Sequence, residues 1–159
     1  MKKRAVIQMV VDQIAMDLAA LLAATKATHA EATHEQNKPE NKYDTRALEA
    51  SYLARGQSRQ VVELEKAKQE FEALSLADAV PKAPVDVGAL LTLKRGRTEA
   101  VYLLGPKAGG MEVIFEGTTV TVITPQSPIG QQLLGKAQGD SIFLPNDPEA
   151  GPFQIARVW

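Results

Sequence analysis

The chain contains no cysteine. Neither disulfides nor a thiolate zinc site can hold it together, which fits a reducing cytoplasm. No excess of one charge is present either: 18 Lys and Arg stand against 19 Asp and Glu, for a net charge of −1. A protein that coats duplex nucleic acid shows a basic excess, so that class is excluded, while a local basic stripe stays compatible. A long unbroken apolar run is also missing. After the basic start Lys2-Lys3-Arg4, the N-terminal stretch is interrupted by Gln8, Asp12, Gln13 and Asp17. A signal peptide needs a continuous apolar region, and a membrane span needs about 20 apolar residues. The segment is read as an amphipathic helix of a soluble protein, with no membrane partner expected.

Proline and glycine are nearly absent from the first half. Residues 1–80 hold Pro39 and Gly56, whereas residues 81–159 hold the other eight prolines and ten glycines. These residues punctuate turns and are disfavoured inside helices. The first half therefore reads as long helices and the second as short strands joined by turns, with Pro81-Lys82-Ala83-Pro84 as linker. What is present, 45% hydrophobic and 23% charged residues in 159, suits one ordinary domain or two small ones.

Apolar residues at Val6, Met9, Val10, Ile14, Leu18, Leu21, Leu22 and Thr25 recur at steps of three and four, which predicts a helix from about Ala5 to His34. Such a helix is about 45 Å long. A polar stretch, Glu35 to Asn41, breaks the pattern. A second helix is predicted over roughly Lys42 to Leu76, with a seam through Leu48, Tyr52, Val62, Leu64, Ala67, Phe71 and Leu74. Two long helices joined by a short polar turn fold back as an antiparallel hairpin. The expected domains are thus a hairpin over 1–80 and a small β domain over 81–159, an α+β chain.

In the second half, apolar runs at Ala89–Leu93, Ala100–Leu104, Met111–Phe115 and Thr118–Ile123 are separated by Gly-Pro and Gly-Gly turns, as in antiparallel sheets. Two more strands are expected near Asp140–Leu144 and Phe153–Val158. One short helix interrupts them from Pro128 to Leu134. Ser127 is its N-cap, Pro128 occupies its first turn and Gly135 stops it.

The segment Ser127-Pro128-Ile129-Gly130-Gln131-Gln132-Leu133-Leu134-Gly135-Lys136-Ala137-Gln138-Gly139-Asp140 resembles the C-terminal signature of the GreA/GreB transcription elongation factors. That signature has a Ser-Pro-Ile start, a short helix ending Leu-Leu-Gly-Lys, then Gly-Asp before a strand. The resemblance spans nearly the whole chain, because that family also begins with a helical hairpin of about this length. It implies an FKBP-like C-terminal domain. It also implies a hairpin that enters the secondary channel of RNA polymerase, where acidic residues at the tip help hold a second Mg²⁺ in the polymerase active site. The polymerase then cleaves its own backtracked transcript. Two metal ions suit that reaction by activating a water and stabilising the departing oxygen, and Mg²⁺ favours carboxylate oxygens. The factor is then an accessory protein and not itself an enzyme. It binds no cofactor alone and shares Mg²⁺ only with the polymerase. A monomer is expected.

The family's tip has an Asp, two further residues, and then Glu-Asn. Here the tip reads Asn37-Lys38-Pro39-Glu40-Asn41-Lys42-Tyr43-Asp44. One alignment sets Glu40-Asn41 on the family's Glu-Asn and leaves Asn37 where the Asp stands. The other counts back from Val62-Glu63-Leu64-Glu65, sets Glu40 on the Asp, and puts Asp44 one residue past the second acid. Glu40 is acidic in both, so Glu40 and then Asp44 are the implied catalytic and metal-holding residues. A plainer role also fits: Asn41 as an N-cap with Asp44 at the third helical position.

The family's hairpin also carries a basic patch that contacts the 3′ end of the nascent RNA. Arg46, Arg55 and Arg59 are the candidates here, with Arg55 and Arg59 four residues apart on one helix face. A solvated face paired to Glu49, Glu63 and Glu70 is the alternative. Polymerase contacts from the C-terminal domain are expected near Ser127, Pro128 and Lys136. His29 and His34, five apart, have poor spacing for two ligands on one face and are read as surface residues. Two rival functions remain. One is a channel-occupying regulator or inhibitor without cleavage activity, which Asn37 suits. The other, ranked below it, is an FKBP-like peptidyl-prolyl isomerase with a helical arm.

Overall fold

A computed structural model describes residues 2–33, 46–76, 83–144 and 151–159. Among the described residues nine elements follow in order: α1 (Lys3–Thr33), α2 (Arg46–Glu72), β1 (Leu90–Arg95), β2 (Thr98–Leu104), β3 (Glu112–Phe115), β4 (Thr118–Ile123), α3 (Pro128–Leu133), β5 (Ser141–Ile142) and β6 (Phe153–Val158). This is an α+β chain, with long helices first and a mixed sheet carrying one short helix second. The chain packs as two compact units, one formed by Met1–Asp12 with Gln69–Trp159 and the other by Gln13–Lys68. Each long helix therefore contributes residues to both.

In the first unit the strands form one sheet in the order β3-β4-β2-β1-β6-β5. Two-residue turns close the β1–β2 and β3–β4 hairpins, since Arg95 pairs with Thr98 and Phe115 with Thr118. One pair departs from the antiparallel expectation: β2 and β4 run parallel, with Val101 opposite Val120 and Leu104 opposite Ile123. The physical reason is that β3 turns back onto β4 from its far side. The 105–117 stretch thus becomes a crossover that returns β4 in the direction of β2.

Register decides which side chains share a face, because directly paired residues point the same way. Leu91, Leu93, Leu104 and Ile123 lie with Val85, Leu133, Ile142, Phe153 and Ile155 in one buried cluster, so α3 covers this face. A β-bulge at Thr92/Leu93 in the β1–β6 pairing lets Val158 and Ile155, an odd number of residues apart, both pack on that cluster. The opposite face carries Leu90, Leu103, Val120 and Val122, all fully buried. Phe71 is buried there too: a Cβ at Gly105 would lie 2.6 Å from its ring and 3.0 Å from Val122. Fully burying such side chains stabilises by about 1.5–3 kcal/mol each.

The start of α1 belongs to this core, with Val6, Ile7, Val10 and Val11 buried. By length and composition alone, Lys3–Glu31 of α1 is apolar enough to cross a membrane. Asp12 and Asp17 interrupt that stretch, and burial of these valines and Ile7 accounts for the apolarity of its first turns.

In the second unit the two helices run antiparallel. Leu21 of α1 lines one groove with Gln60 and Leu64 of α2, and His29 and Thr33 line another with Ser51, Ala54 and Ser58. The α1 seam follows the expected spacing through Ile14, Leu18, Leu21 and Thr25, whereas Leu22 is exposed. The α2 seam differs from expectation. Leu48, Tyr52 and Val62 were placed in it and are exposed instead, Tyr52 at 62% and Val62 at 59%. Ala67 is buried as expected, and the inward positions of this unit also include Ala54, Gln57, Val61, Leu64 and Lys68, none of them exposed. That set keeps a regular three-four spacing. Apolar residues occupy both faces of α2, so hydrophobicity placed Leu64, Ala67, Phe71 and Leu74 correctly and Leu48, Tyr52 and Val62 on the wrong side.

Candidate functional site

The segment 124–140 builds itself from local hydrogen bonds. Ser127 Oγ accepts from Gly130 N at 3.0 Å and donates to Thr124 O at 2.7 Å. Pro128 begins the helix, where a missing N–H costs nothing. Gly130 leaves no room for a side chain, because a Cβ would sit 2.0 Å from Thr124 O. Gly135 has φ +76°, the left-handed conformation that stops a helix. Its N–H donates to Val85 O at 2.9 Å, and Val85 N donates to Lys136 O at 2.6 Å. The Gln132 amide clamps the end of β5: its Nε2 donates to Phe143 O at 2.7 Å and its Oε1 accepts from Phe143 N at 3.0 Å. Asp140 closes the following turn by accepting from Ala137 N at 2.8 Å. Of the three residues expected to meet a partner here, Ser127 and Pro128 have structural roles as cap and first turn, and Lys136 is tied through its backbone.

The second candidate surface is the outer side of α2. Leu48, Tyr52, Arg55, Arg59, Val62 and Lys66 follow one another at steps of four and three, and all are exposed. At 100° per residue they occupy one stripe on the side away from the seam. The Arg55 guanidinium lies 5.9 Å from the Tyr52 ring centroid, a cation–π distance. Arg55 and Arg59 line one open groove of about 540 Å³ with Ser58, Val62 and Glu63. The two arginines singled out from their spacing are therefore brought together. Tyr52 was missed as a surface residue; the signal that finds it is the spacing of apolar and basic side chains along this stripe. Arg46 begins α2, and its side chain lies outside the described residues.

Glu40, Asp44, Asn37, Asn41 and His34 lie outside the described residues. His29 is exposed, as expected, and lines a groove with Arg55. Among the described residues no group of three His, Asp or Glu side chains is placed to hold a metal ion.

The arrangement defines a class: an α+β protein in which two long helices precede a mixed sheet capped by one short helix. Solved structures similar to this chain are the GreA factor homolog 1 (Gfh1) of Thermus thermophilus and the Gfh1 of Thermus aquaticus. The first is 15% identical over 94% of each chain with a TM-score of 0.36. The second is 13% identical over 92% of each chain with a TM-score of 0.35. A further structure, of the transcription factor Gfh1, is 14% identical over 93% of this chain and 92% of that one, with a TM-score of 0.36. No family model and no curated protein matches the chain.

Proposed function

We propose that this chain is a Gre-like accessory factor. It binds RNA polymerase through the secondary channel and stimulates cleavage of backtracked nascent RNA. The observation that carries the reading is the 127–140 segment, whose resemblance to the Gre signature extends to its physical logic. Each signature residue that ought to cap, start, stop or turn the chain does so. The helical pair that precedes the sheet supports it, since a rod is what reaches into a channel. In this reading the factor supplies Glu40, with Asp44 as second acid, to a Mg²⁺ shared with the polymerase active site. Arg55 and Arg59, with Arg46 at the start of the same helix, meet the phosphates near the RNA 3′ end, where placed positive charge suffices. Ser127, Pro128 and Lys136 mark the part of the sheet domain that faces the polymerase.

Transcript cleavage on stalled, backtracked elongation complexes tests this. Wild type is expected to stimulate Mg²⁺-dependent cleavage. Glu40→Ala is expected to remove most of that stimulation while polymerase binding persists, and Asp44→Ala to remove less. A specific observation favours a second reading: Asn37 stands where one alignment requires an Asp, so one metal-facing charge is missing. Tight polymerase binding by wild type without any cleavage would select a channel-occupying regulator instead.

A further inference from the structure

We propose that the helical hairpin carries a built-in soft layer at Thr25 and Gln57. At this layer the half nearer Thr33 and Arg46 opens independently of the half nearer Gln13 and Lys68. Both residues occupy inward seam positions, and both are only partly exposed. The grooves lined by Leu21 with Leu64 and by His29 with Ala54 bracket them, which puts Thr25 and Gln57 at one level. Thr25 Oγ1 and Gln57 Oε1 are each cut off from solvent and have no hydrogen-bond partner among the described residues. Neighbouring hydroxyls are not in this state. Thr28 Oγ1 donates to Ala24 O at 2.9 Å, Thr33 Oγ1 to His29 O at 2.9 Å, and Ser58 Oγ to Ala54 O at 2.8 Å.

Burying a polar atom without a partner is costly, and water satisfies it as soon as the layer opens. Two such atoms at one level favour local opening there. Gly56, immediately before Gln57, adds to the effect. A Cβ at this position meets nothing within 4 Å, so packing does not require the glycine. It weakens the helix through backbone entropy alone. On one side of the layer the seam is Ile14, Leu18 and Leu21 against Val61 and Leu64. On the other, among the described residues, the inward positions are Thr28 and Ala54, which bury far less apolar surface. Local opening free energies follow such differences in packing. The device does not depend on which partner the chain meets.

Hydrogen exchange of the full chain by mass spectrometry tests it. Amides of 26–33 and 48–57 are expected to exchange at least about tenfold faster than those of 14–21 and 61–68, with a step at the layer. The double variant Thr25→Val with Gln57→Leu is expected to slow the faster group about tenfold, equivalent to 1.4 kcal/mol, and to leave the slower group within about twofold. Gly56→Ala alone is expected to slow the faster group by about threefold to fivefold. It carries the test by itself if the double variant does not fold. A smooth gradient of rates toward Thr33 and Arg46 in wild type would mean simple fraying and overturn the proposal. So would variants that leave the faster group unchanged, or that slow both groups equally.

Discussion

The unit built on the sheet and the unit built on the two helices solve the same packing problem with different thoroughness. In the sheet unit nearly every inward position is a Leu, Ile, Val or Phe with almost no exposed surface, on both faces of the sheet. Its one short helix is fixed at both ends by specific hydrogen bonds. In the helical unit the seam passes, among the described residues, from Ile and Leu to Thr and Ala, and two polar atoms in it have no partner there. Apolar and aromatic residues such as Leu48, Tyr52 and Val62 are placed outside. The sheet unit is organised for a single packed state. Among the described residues the helical unit holds a thinner seam and places several large side chains on its surface.

Substitutions can break or sharpen that contrast. The largest effect is expected for Gly130→Ala, which drives a methyl group into a backbone carbonyl that cannot retreat. A loss of at least about 4 kcal/mol, read as collapse of the main thermal transition, is expected. Phe71→Ala should cost about 3–5 kcal/mol by leaving a cavity against Gly105 and Val122; a loss below about 1 kcal/mol in urea titration would mean that the base of α2 is not part of the sheet core. Ser127→Ala removes the cap of α3 and should cost about 1 kcal/mol. At the small end, Val62→Ala should change stability by less than about 0.5 kcal/mol, and Val61→Ala, one residue away and facing the seam, should cost about 1 kcal/mol. The reverse order would restore the stripe inferred from hydrophobicity alone.

Tyr102 offers a check in pH. Its phenol sits half-buried on the α3 side of the sheet, and burial raises its pKa above the ordinary 10.0. The folded state then holds its proton more tightly than the unfolded state does. The associated stability is fully present below about pH 10 and is lost as pH rises beyond it. Denaturant unfolding of wild type and Tyr102→Phe on either side of pH 10 should show the extra alkaline loss in wild type alone.

Local chemistry made most of the sheet unit legible. Six strand segments and α3 fall within a residue or two of where turn residues and alternation put them, apart from β5, whose regular part is only Ser141–Ile142. Ser127, Pro128 and Gly135 take their expected positions because capping depends on neighbours in the chain. The parallel β2–β4 pair was not legible, since turn chemistry reports hairpins and says nothing of which strand a crossover returns to. The α2 seam was misread at Leu48, Tyr52 and Val62 for a related reason: Val62 is as apolar as Val61, and only the facing helix distinguishes them. For the candidate site, spacing paired Arg55 with Arg59, while assignment of Glu40 and Asp44 rests on the resemblance, because two carboxylates in a polar stretch carry no geometric signature.

The position of β6 has a consequence for biosynthesis. Strand β1, buried at Leu90 through Leu93, is flanked by β2 on one side and β6 on the other, and Trp159 N donates to Leu90 O at 2.8 Å. While a ribosome is still translating this region, β1 and β2 can already form their hairpin, but the other margin of β1 stays open until Phe153–Val158 has left the exit tunnel. For that interval the nascent chain presents an apolar strand with unpaired backbone groups, a template on which neighbouring chains can assemble. Premature termination just before Phe153 would make that exposure permanent, so such fragments should partition to the insoluble fraction even though they carry both long helices and the segments of all five strands that precede β6.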